Sequence, residues 1–345
     1  MSFPEVSRSI SDYRYHLPKD RIALYPCENR DGSRLLTLDK NTGKKGHLKF
    51  GQFSTLLAPG DALVINDTKV VPARLLGKTQ TGGTVEFLVV ETSADGEAKS
   101  LVRGLKKLKT GQVVDFGASL QGEFVHRDGD MGVIRFNLKR DDLKSWMERH
   151  GRIPLPPYIK REDERIDRER YQTVYARHEG SCAAPTAGLH FTPELLEELE
   201  SAGIKIYKIC LHVGPGTFRN MTPGNFASYR LGAERTEVPQ NVYEALMKIK
   251  STGGRVVAVG TTTTRALENA AMLGSGFEGN TDLFIYPGFR FRMVDALVTN
   301  FHLPLSSLLL LVCAFAGRET VLNAYREAVE RGYRFYSYGD AMFLY

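Results

Sequence analysis

Two short motifs combine a histidine with glycine, threonine and an aromatic residue, and this combination suits the binding of a polar ligand. They occupy residues 184–191 (APTAGLHF) and 211–218 (LHVGPGTF). Glycine beside histidine lets the backbone approach a ligand closely. One such motif could equally serve a tight turn, but two of them this close together favour a site. Their candidate residues are Thr186, Gly188, His190, His212, Gly214, Gly216, Thr217 and Phe218.

A third motif of the same character, TNFHLP at residues 299–304, adds Asn300 and His302. Because histidine titrates near neutral pH, His190, His212 and His302 are candidates for proton transfer. A lone histidine in such a context is more often a hydrogen-bonded core residue, and that alternative stays open for each. No metal site is expected, because the chain has no HxxxH or HExxH spacing.

Two polar stretches directly follow apolar runs that are typical of buried strands. GTTTTR at residues 260–265 places backbone N–H groups, hydroxyls and a guanidinium at a helix start, which suits an anion or a ribose. Helix capping by the threonines is the alternative. The stretch matches neither a GxxxxGK[ST] loop nor a GxGxxG turn, which argues against nucleotide triphosphates and dinucleotides. The second stretch is Asn66, Asp67 and Thr68, where bonds within the loop are the commoner use of such side chains and ligand contact the rarer one.

Alternating helices and strands from residue 182 onward position these motifs. Thr192 is a predicted helix cap with Pro193 at the first position, and Gly203 ends that helix before a strand at 204–209. This alternation predicts a mixed or largely parallel sheet with helices on its faces. The other predicted elements are helices at 239–251, 266–273, 306–316 and 318–331, and strands at 62–65, 255–259, 282–286 and 294–299.

Residues 69–155 have a different texture, with six short β-rich runs separated by turns. These runs, at 70–76, 84–91, 100–105, 112–116, 122–127 and 133–138, predict a small barrel or sandwich. The stretch holds 15 Lys and Arg against 11 Asp and Glu, which is most of the chain's net charge of +6. Lys106, Lys107 and Lys109 form its densest basic cluster, as a nucleic-acid-facing domain would show, although any one lysine more often lies on a solvated edge. We therefore predict an α/β (multi-domain) protein: a mixed α/β catalytic domain formed by residues 1–68 and 156–345, with an inserted β-barrel-like domain at 69–155.

The composition bounds the class of protein. At 345 residues, with 42% hydrophobic and 25% charged residues, the chain is typical of a globular protein of about two domains. No signal peptide is recognisable, and the most apolar run, residues 305–316, is shorter than a spanning helix needs. The four cysteines lie far apart, which argues against zinc and indicates reduced thiols in the cytoplasm. Cys182, beside the first motif, is more readily a buried structural residue than a nucleophile.

These motifs resemble those of one family, the S-adenosylmethionine:tRNA ribosyltransferase-isomerases of queuosine synthesis. The similarity runs in order over nearly the whole chain. It includes LPKDRIALYP (17–26), SRLLTLD (33–39), GDALVINDTKVVPARLLG (60–77), RYQTVYA (170–176), AAPTAGLHFT (183–192), LHVGPGTF (211–218), VGTTTTRALE (259–268), VDALVTNFHLP (294–304) and YRFYSYGDAM (333–342).

The resemblance implies a reaction in which S-adenosylmethionine is a consumed substrate rather than a methyl donor. Its ribosyl part is transferred to the aminomethyl group of a deazaguanine at the wobble position of tRNA, with isomerisation to epoxyqueuosine and release of adenine and methionine. The implied partners are that tRNA and S-adenosylmethionine, with no membrane. We expect no metal or redox cofactor, and we expect a monomer.

The resemblance also implies roles for the candidate residues. The carbon next to a sulfonium is acidic and needs a base, for which His190, His212 or His302 could serve. The leaving adenine needs a proton, from the same histidines or from Asp340. The sulfonium favours aromatic rings and carboxylates, among which Phe218, Phe301, Tyr338 and Glu234 are available. The other implied substrate contacts are Asn66, Asp67, Thr68, Arg74, Thr186, Gly188, Gly214, Gly216, Thr217, Thr261, Thr262, Arg265 and Asn300.

One stretch departs from the family pattern. Where the pattern usually reads His-x-Met-His-x-Glu, this chain reads YRLGAE at residues 229–234, so Glu234 remains and both histidines are missing. Position 16 is also His rather than the usual acid. Because the other motifs are present, we interpret the lost histidines as replaceable. A tRNA methyltransferase and a non-catalytic RNA-binding module are the competing interpretations, and the glycine-rich first turn of the usual methyltransferase fold is absent.

Overall fold

A computed structural model describes residues 9–214, 221, 224, 226 and 229–345. Within these residues the chain forms a nine-stranded sheet, a closed six-stranded barrel and a two-stranded sheet. The described strands are β1 (Arg34–Leu38), β2 (Lys45–Lys49), β3 (Ala62–Asn66), β4 (Thr68–Val70), β5 (Arg74–Thr79), β6 (Thr84–Thr92), β7 (Glu97–Arg103), β8 (Val113–Gly117), β9 (Leu120–Asp128), β10 (Met131–Phe136), β11 (His178–Ser181), β12 (Lys205–Leu211), β13 (Glu234–Val238), β14 (Val256–Val259), β15 (Phe277–Thr281), β16 (Ala296–Asn300) and β17 (Ala341–Leu344). The described α-helices are α1 (Arg140–His150), α2 (Arg165–Arg170), α3 (Pro193–Ser201), α4 (Gln240–Ser251), α5 (Thr261–Leu273), α6 (Ser307–Ala316) and α7 (Arg318–Glu330).

The direction of the strands in the large sheet brings the polar motifs to one edge. The strand order is β15–β13–β12–β3–β14–β16–β17–β1–β2. β12, β3, β14 and β16 are parallel, so their carboxyl ends lie along the same edge. β17 is antiparallel to β16, and β1 is parallel to β17, which brings the amino ends of β17 and β1 to that edge as well. Segments distant in sequence therefore meet there.

Apolar central strands explain why this sheet is covered on both faces. β3, β14 and β16 are buried along their whole length, as parallel strands between two layers of helices should be. Helices α4 to α7 contribute to the core on one face. Helix α3 and the 3₁₀ segment Phe50–Leu56 contribute to the core on the other. The predicted α/β architecture is confirmed.

The predicted cap of helix α3 is also present. The Thr192 hydroxyl accepts a hydrogen bond from the Leu195 amide at 3.2 Å, and Pro193 opens helix α3. Ser306 caps α6 in the same way. Helix α5, in contrast, begins at Thr261 rather than at 266, so the threonines form its first turn. Two of their hydroxyls bond back to the carbonyls of Val259 and Gly260.

The six predicted strands of the basic segment close into an antiparallel barrel in the order β10–β7–β6–β5–β8–β9. The inserted barrel is therefore confirmed as part of the fold. Its strands lie between β4 and β11 in the chain, whereas the large sheet takes strands from both flanks. The domain boundaries at residues 69 and 155 stay a prediction.

Two details of the barrel region were predicted wrongly. The run at 70–76 is not one strand: it divides at Pro72, which has no N–H to give, into β4 and β5, and β4 pairs with β11 outside the barrel. Helix α1 was missed because most of its residues are charged. Leu143, Trp146 and Met147 nevertheless bury one face of it in the barrel core.

One predicted strand of the α/β part is shifted. The sequence favours a strand at 282–286, but β15 covers Phe277–Thr281 and pairs with β13. The apolar residues that suggested the strand instead face the core, where Ile285 is buried. Among the described helices none is long and apolar enough to cross a membrane alone. Only α6 and α7 together reach that length and composition, and they are bent by 115° where they meet.

Candidate functional site

A cavity opens at the polar edge of the large sheet. It lies where β14 and β16 end side by side and helix α5 begins. The 3₁₀ turn Thr186–His190 and the loop before β17 complete its walls. The polar residues that line it are Tyr158, Thr186, Thr261, Thr262, Thr299, Asn300, His302, Ser306, Tyr336 and Ser337. Its described lining contains hydroxyls, an amide and an imidazole but no Asp, Glu, Lys or Arg.

The Asn300 side chain holds three segments together at the base of this cavity. Its Oδ1 accepts a hydrogen bond from the Thr186 hydroxyl at 2.8 Å. Its Nδ2 lies 3.3 Å from the carbonyl oxygen of Tyr336 and 3.1 Å from Nε2 of His190. Because a carbonyl can only accept, the amide nitrogen must face Tyr336, and this fixes the orientation of the whole amide.

The orientation of Asn300 determines the protonation of His190. Nε2 of His190 must accept a hydrogen bond from the side-chain amide of Asn300. The ring proton of His190 therefore resides on Nδ1, which lies 2.7 Å from the Ser33 hydroxyl. The ring also stacks on Phe50 at 5.0 Å between centroids. Burial, with smaller contributions from Arg334 and Arg30, lowers the pKa of His190 to about 4. His190 is therefore a neutral residue that supports Asn300 from behind the cavity wall.

His302 lies on the cavity itself. Its Nε2 is 2.8 Å from the Thr299 hydroxyl, and no described residue bonds to its Nδ1. Burial lowers the pKa of this ring to about 3. The main chain is held as well, since the Tyr15 hydroxyl donates to the His302 carbonyl. His302 thus presents an unprotonated imidazole to the cavity, in a fixed position.

The third predicted histidine belongs to a different cluster, beside β4 and β11. His212 Nδ1 is 2.8 Å from the Thr68 hydroxyl, and its pKa is lowered by burial and by Arg235 and His178. Asp67 bonds to His178 at 2.9 Å. These side chains do not line the cavity, so the structure does not bring His212 together with His302 as we expected.

Asn66 has a structural role at the same edge. Its amide bonds to both backbone groups of Leu211, at 3.0 and 2.9 Å, and to the backbone of Thr68. With 0% exposure and its strongest bonds directed at main chain, this side chain joins β3 to the end of β12 rather than facing a ligand. The loop-bonding alternative for Asn66 is the better account.

One group of side chains in this cluster could hold a metal ion. Donor atoms of Asp67, His178 and Cys210 lie within 4.8 Å of one another. Burial raises the pKa of the Cys210 thiol to about 12, however, so a metal would have to displace a firmly held proton. The absence of a metal from the chemistry stays a prediction.

Glu234 and Arg265 bind each other instead of lining the cavity. The carboxylate pairs with the guanidinium, both side chains are about 95% buried, and the other carboxylate oxygen accepts from the Gly214 amide at 2.7 Å. Arg265 also donates to the Leu283 carbonyl at 2.8 Å. This pair connects β13, α5 and the second motif. Gly216, Thr217 and Phe218 of that motif lie outside the described residues.

Asp340 and Tyr338 lie in two further networks. The buried Asp340 carboxylate accepts from the backbone amides of Arg34 and Arg334, at 2.9 and 2.8 Å, and pairs with the Arg34 side chain. The Tyr338 hydroxyl donates to Asp167 at 2.7 Å. Neither residue lines the cavity. For Asp340 this arrangement favours anchoring of the 333–342 motif over proton transfer.

Three other predicted residues are explained by packing. A Cβ on Gly188 would lie 2.0 Å from the Tyr175 hydroxyl, so glycine is needed there for space. Phe301 is fully buried among Tyr325, Tyr333 and Phe335. Arg74 pairs with Glu86 at 3.0 Å on a separate groove beside the barrel.

Sequence reasoning missed several lining residues. Tyr158 and Tyr336 face each other with ring centroids 3.9 Å apart, and the Tyr158 hydroxyl bonds to Ser337. Tyr158 ends the proline-rich run IPLPPY, and a tyrosine directly after two prolines was the sequence signal that could have identified it as a lining residue. Ser306 and Thr299 could not be separated from ordinary capping and strand residues by sequence alone.

We predict that Asp340→Asn lowers the free energy of unfolding by about 3 kcal/mol. The substitution removes the carboxylate that pairs with the Arg34 side chain, and it places the N–H groups of the new asparagine side chain against the backbone N–H of Arg334. Urea unfolding at neutral pH measures this. Asp20→Asn, at an exposed ion pair, is the control and should leave stability nearly unchanged. Undiminished stability of Asp340→Asn would show that this carboxylate is not a structural anchor.

Acid should destabilise the fold through His190 and His302. Their pKa values are lowered from 6.5 to about 4 and about 3. Between these values and 6.5 the two histidines are therefore protonated in the unfolded chain but not in the folded chain. The stabilisation is complete above pH 6.5 and is lost as pH falls from there through the folded pKa values. His190→Gln should therefore lose less stability than the parent protein between about pH 7 and about pH 4.5. Equal losses in both proteins would contradict a neutral His190.

Comparisons with known proteins agree with this architecture. Residues 10–344 match the model of a family described as queuosine biosynthesis protein. The chain is 47% identical over 340 residues to the S-adenosylmethionine:tRNA ribosyltransferase-isomerase of Trichlorobacter lovleyi, covering 97% of this chain and 99% of the relative. It is 49% identical over 339 residues to the enzyme of the same name from Citrifermentans bemidjiense, with the same coverage. A crystal structure of S-adenosylmethionine tRNA ribosyltransferase from Thermotoga maritima aligns with a TM-score of 0.57 at 38% identity, over 97% of this chain and all of that one. The chain therefore belongs to the queuosine biosynthesis family of S-adenosylmethionine:tRNA ribosyltransferase-isomerases.

Proposed function

We propose that this protein transfers and isomerises the ribosyl part of S-adenosylmethionine onto the aminomethyl-deazaguanine wobble base of tRNA. The products are epoxyqueuosine-tRNA, adenine and methionine. The observation that carries the proposal is the hydroxyl-lined cavity at the carboxyl edge of the sheet, in a chain whose relatives bear this activity in their names. Open α/β sheets bind their ligands at this edge.

The cavity lining matches the parts of the substrate. Thr186, Thr261 and Thr262 offer hydroxyls to a ribose, and Asn300 is held in one orientation beside them. Tyr158 and Tyr336, whose rings contact each other, contribute aromatic surface to the wall that a base or the sulfonium would meet. Such a lining can position a nucleoside without charge, which agrees with a ligand that brings its own positive sulfur.

His302 is the best-placed group for proton transfer. It is the one histidine among the described residues of the lining, and its low pKa keeps the ring unprotonated at neutral pH. An unprotonated ring can take the proton from the carbon next to the sulfonium and return it to the departing adenine. His190 acts through Asn300 and is a positioning residue. The reaction needs no metal or redox cofactor.

A groove beside the barrel would receive the tRNA. Seven Lys and Arg side chains line it against three acidic ones, so it attracts a phosphate backbone. Ile159 and Ala183 of this groove are chain neighbours of Tyr158 and Ala184 in the cavity. A base turned out of the anticodon loop would therefore reach the cavity from this side.

The proposal includes the setting in which the enzyme works. We propose a cytoplasmic monomer that acts without a membrane partner, because its substrates are a soluble nucleic acid and a soluble cofactor-like molecule. Sedimentation of the purified chain, with and without tRNA, tests the monomer.

The product of the reaction distinguishes the proposed function from that of a methyltransferase and from that of a non-catalytic RNA-binding module. Incubation with S-adenosylmethionine and the modified tRNA should release free adenine. S-adenosylhomocysteine instead of adenine would identify a methyltransferase. Binding of tRNA with no consumption of S-adenosylmethionine would identify a binding module.

We expect His302→Gln to slow single-turnover adenine release by ~10²–10⁴, because the general base is lost, while the melting temperature changes little. His190→Gln should affect the rate less, since it acts through Asn300. His150→Gln, an exposed histidine on α1, is the matched control. A parallel loss of rate and stability in His302→Gln would show that the ring only braces the cavity.

Neutralising Lys106 and Lys107 should weaken tRNA binding and reduce its salt dependence, because two fewer counterions are released. The expected slope of log affinity against log salt decreases by roughly two. Lys109 does not line the groove, so Lys109→Gln serves as the charge-matched control. In the sequence all three lysines belong to one cluster. Equal effects of all three substitutions would place the tRNA elsewhere on the barrel.

A further inference from the structure

A second, smaller pocket lies behind His190 and is lined by three guanidinium groups, those of Arg30, Arg170 and Arg334. The mechanism proposed above does not use it. Its described lining includes Cys27 and Ser337 but no Asp or Glu. Three formal positive charges therefore surround one small space without an acidic side chain in its wall.

These three arginines differ from the other shielded arginines of the described chain. Every other described arginine that is buried or half-buried lies within ion-pair distance of a carboxylate. Arg30, Arg170 and Arg334 make no ion pair with a described carboxylate, although each is half-buried. The exceptions are thus not scattered but meet in the same pocket.

Backbone carbonyls hold the three groups in place. Arg30 donates to the carbonyls of Leu189 and Glu169 at 3.1 and 3.0 Å. Arg170 donates to those of Cys27 and Glu28 at 2.7 and 2.8 Å, and its Nε is buried with no partner. Arg334 donates to the Tyr25 carbonyl at 3.2 Å and to the Cys27 sulfur at 2.6 Å. Neutral carbonyls fix the geometry, and the nearby carboxylates, such as Glu169 beside Arg30, lie beyond ion-pair distance.

The charges therefore repel one another in a partly desolvated space. Burial and the proximity of Arg170 both lower the pKa of Arg30. Arg334 and Arg30 also lower the pKa of His190. A bound anion would remove this repulsion and could accept the remaining N–H groups in the forked geometry that guanidinium offers.

We propose that the pocket formed by Arg30, Arg170 and Arg334 binds one oxyanion, a carboxylate or a phosphate group, of the enzyme's substrates or products. The identification of the source rests on the proposed function, which supplies two: the amino-acid carboxylate of S-adenosylmethionine or methionine, and a phosphate of the tRNA. Ser337 borders both this pocket and the reaction cavity, so a ligand here lies beside the site of chemistry.

Cys27 provides a direct readout of anion binding. It lines the pocket, and it is the one cysteine of the four that is not buried. The experiment compares the rate at which Cys27 is alkylated by iodoacetate, an anion, with the rate of its alkylation by neutral iodoacetamide. Mass spectrometry of the Cys27 peptide measures both rates, and glutathione is the reference thiol. Electrostatic attraction should raise the iodoacetate preference at Cys27 about tenfold over glutathione at low salt.

Competing ligands then distinguish the two sources. Protection of Cys27 by methionine but not by methioninol, which lacks the carboxylate, identifies the amino-acid end. Protection by inorganic phosphate and a dinucleotide, but not by methionine, identifies a tRNA phosphate. The proposal is overturned if none of these ligands protects Cys27 and if Cys27 prefers iodoacetate over iodoacetamide no more than glutathione does. None of these measurements depends on adenine release, so the anion site and the proposed function can fail separately.

Variants confirm that the guanidiniums are responsible. Arg30→Gln and Arg170→Gln should each weaken protection about tenfold or more, because one charge-assisted contact is lost, whereas Arg30→Lys should retain part of it. Arg168→Gln is the matched control, since that exposed arginine also bonds to backbone carbonyls but lies outside the pocket. Thermal melting verifies folding of each variant. Equal protection in Arg30→Gln, Arg170→Gln and the parent protein would overturn the proposal.

Discussion

The Asn300 amide is the contact on which the site depends. One primary amide accepts from Thr186 and donates toward His190 and the Tyr336 carbonyl, so it joins the end of β16 to two other motifs. Its orientation is not free, because a carbonyl cannot donate. Because both polar atoms of this amide have partners, it has one arrangement, and it helps to fix the shape of the cavity without charged groups in the described lining.

The fold was largely predictable, because its signals are local. Fully apolar strands, a Thr-Pro helix start and six alternating runs specify the parallel sheet, α3 and the barrel. The failures were at segments whose pairing depends on distant partners. β15 contains few apolar residues and is a strand because β13 pairs with it. Helix α1 is mostly charged, and only its contact with the barrel core reveals its buried face.

The candidate site was predictable in part, and charge explains the difference. Thr186, Thr262, Asn300 and His302 meet at the cavity because each follows or flanks a strand end, which the sequence shows. Glu234, Arg265 and Asp340 are charged residues in the same motifs, and each is buried in an ion pair away from it. Sequence cannot tell a ligand-binding charge from one neutralised inside the protein, since both occur in dense motifs. The three arginines with no carboxylate partner could be recognised only from the structure.

The absence of charge from the described cavity lining also bears on the proton transfer. Burial lowers the pKa of His302 because a desolvated cation is unfavourable, and this makes the ring a weak base. By the proposed mechanism the same physics would act on S-adenosylmethionine, whose sulfonium would enter a space with no described carboxylate to stabilise it. Removal of the adjacent proton turns that cation into a neutral ylide, so desolvation makes the carbon more acidic as it makes the histidine less basic. The two effects offset each other. In an uncharged cavity a weak neutral base can therefore still deprotonate the carbon next to the sulfonium. A carboxylate placed close to the sulfur would oppose this proton transfer, because it would stabilise the positive charge of the substrate.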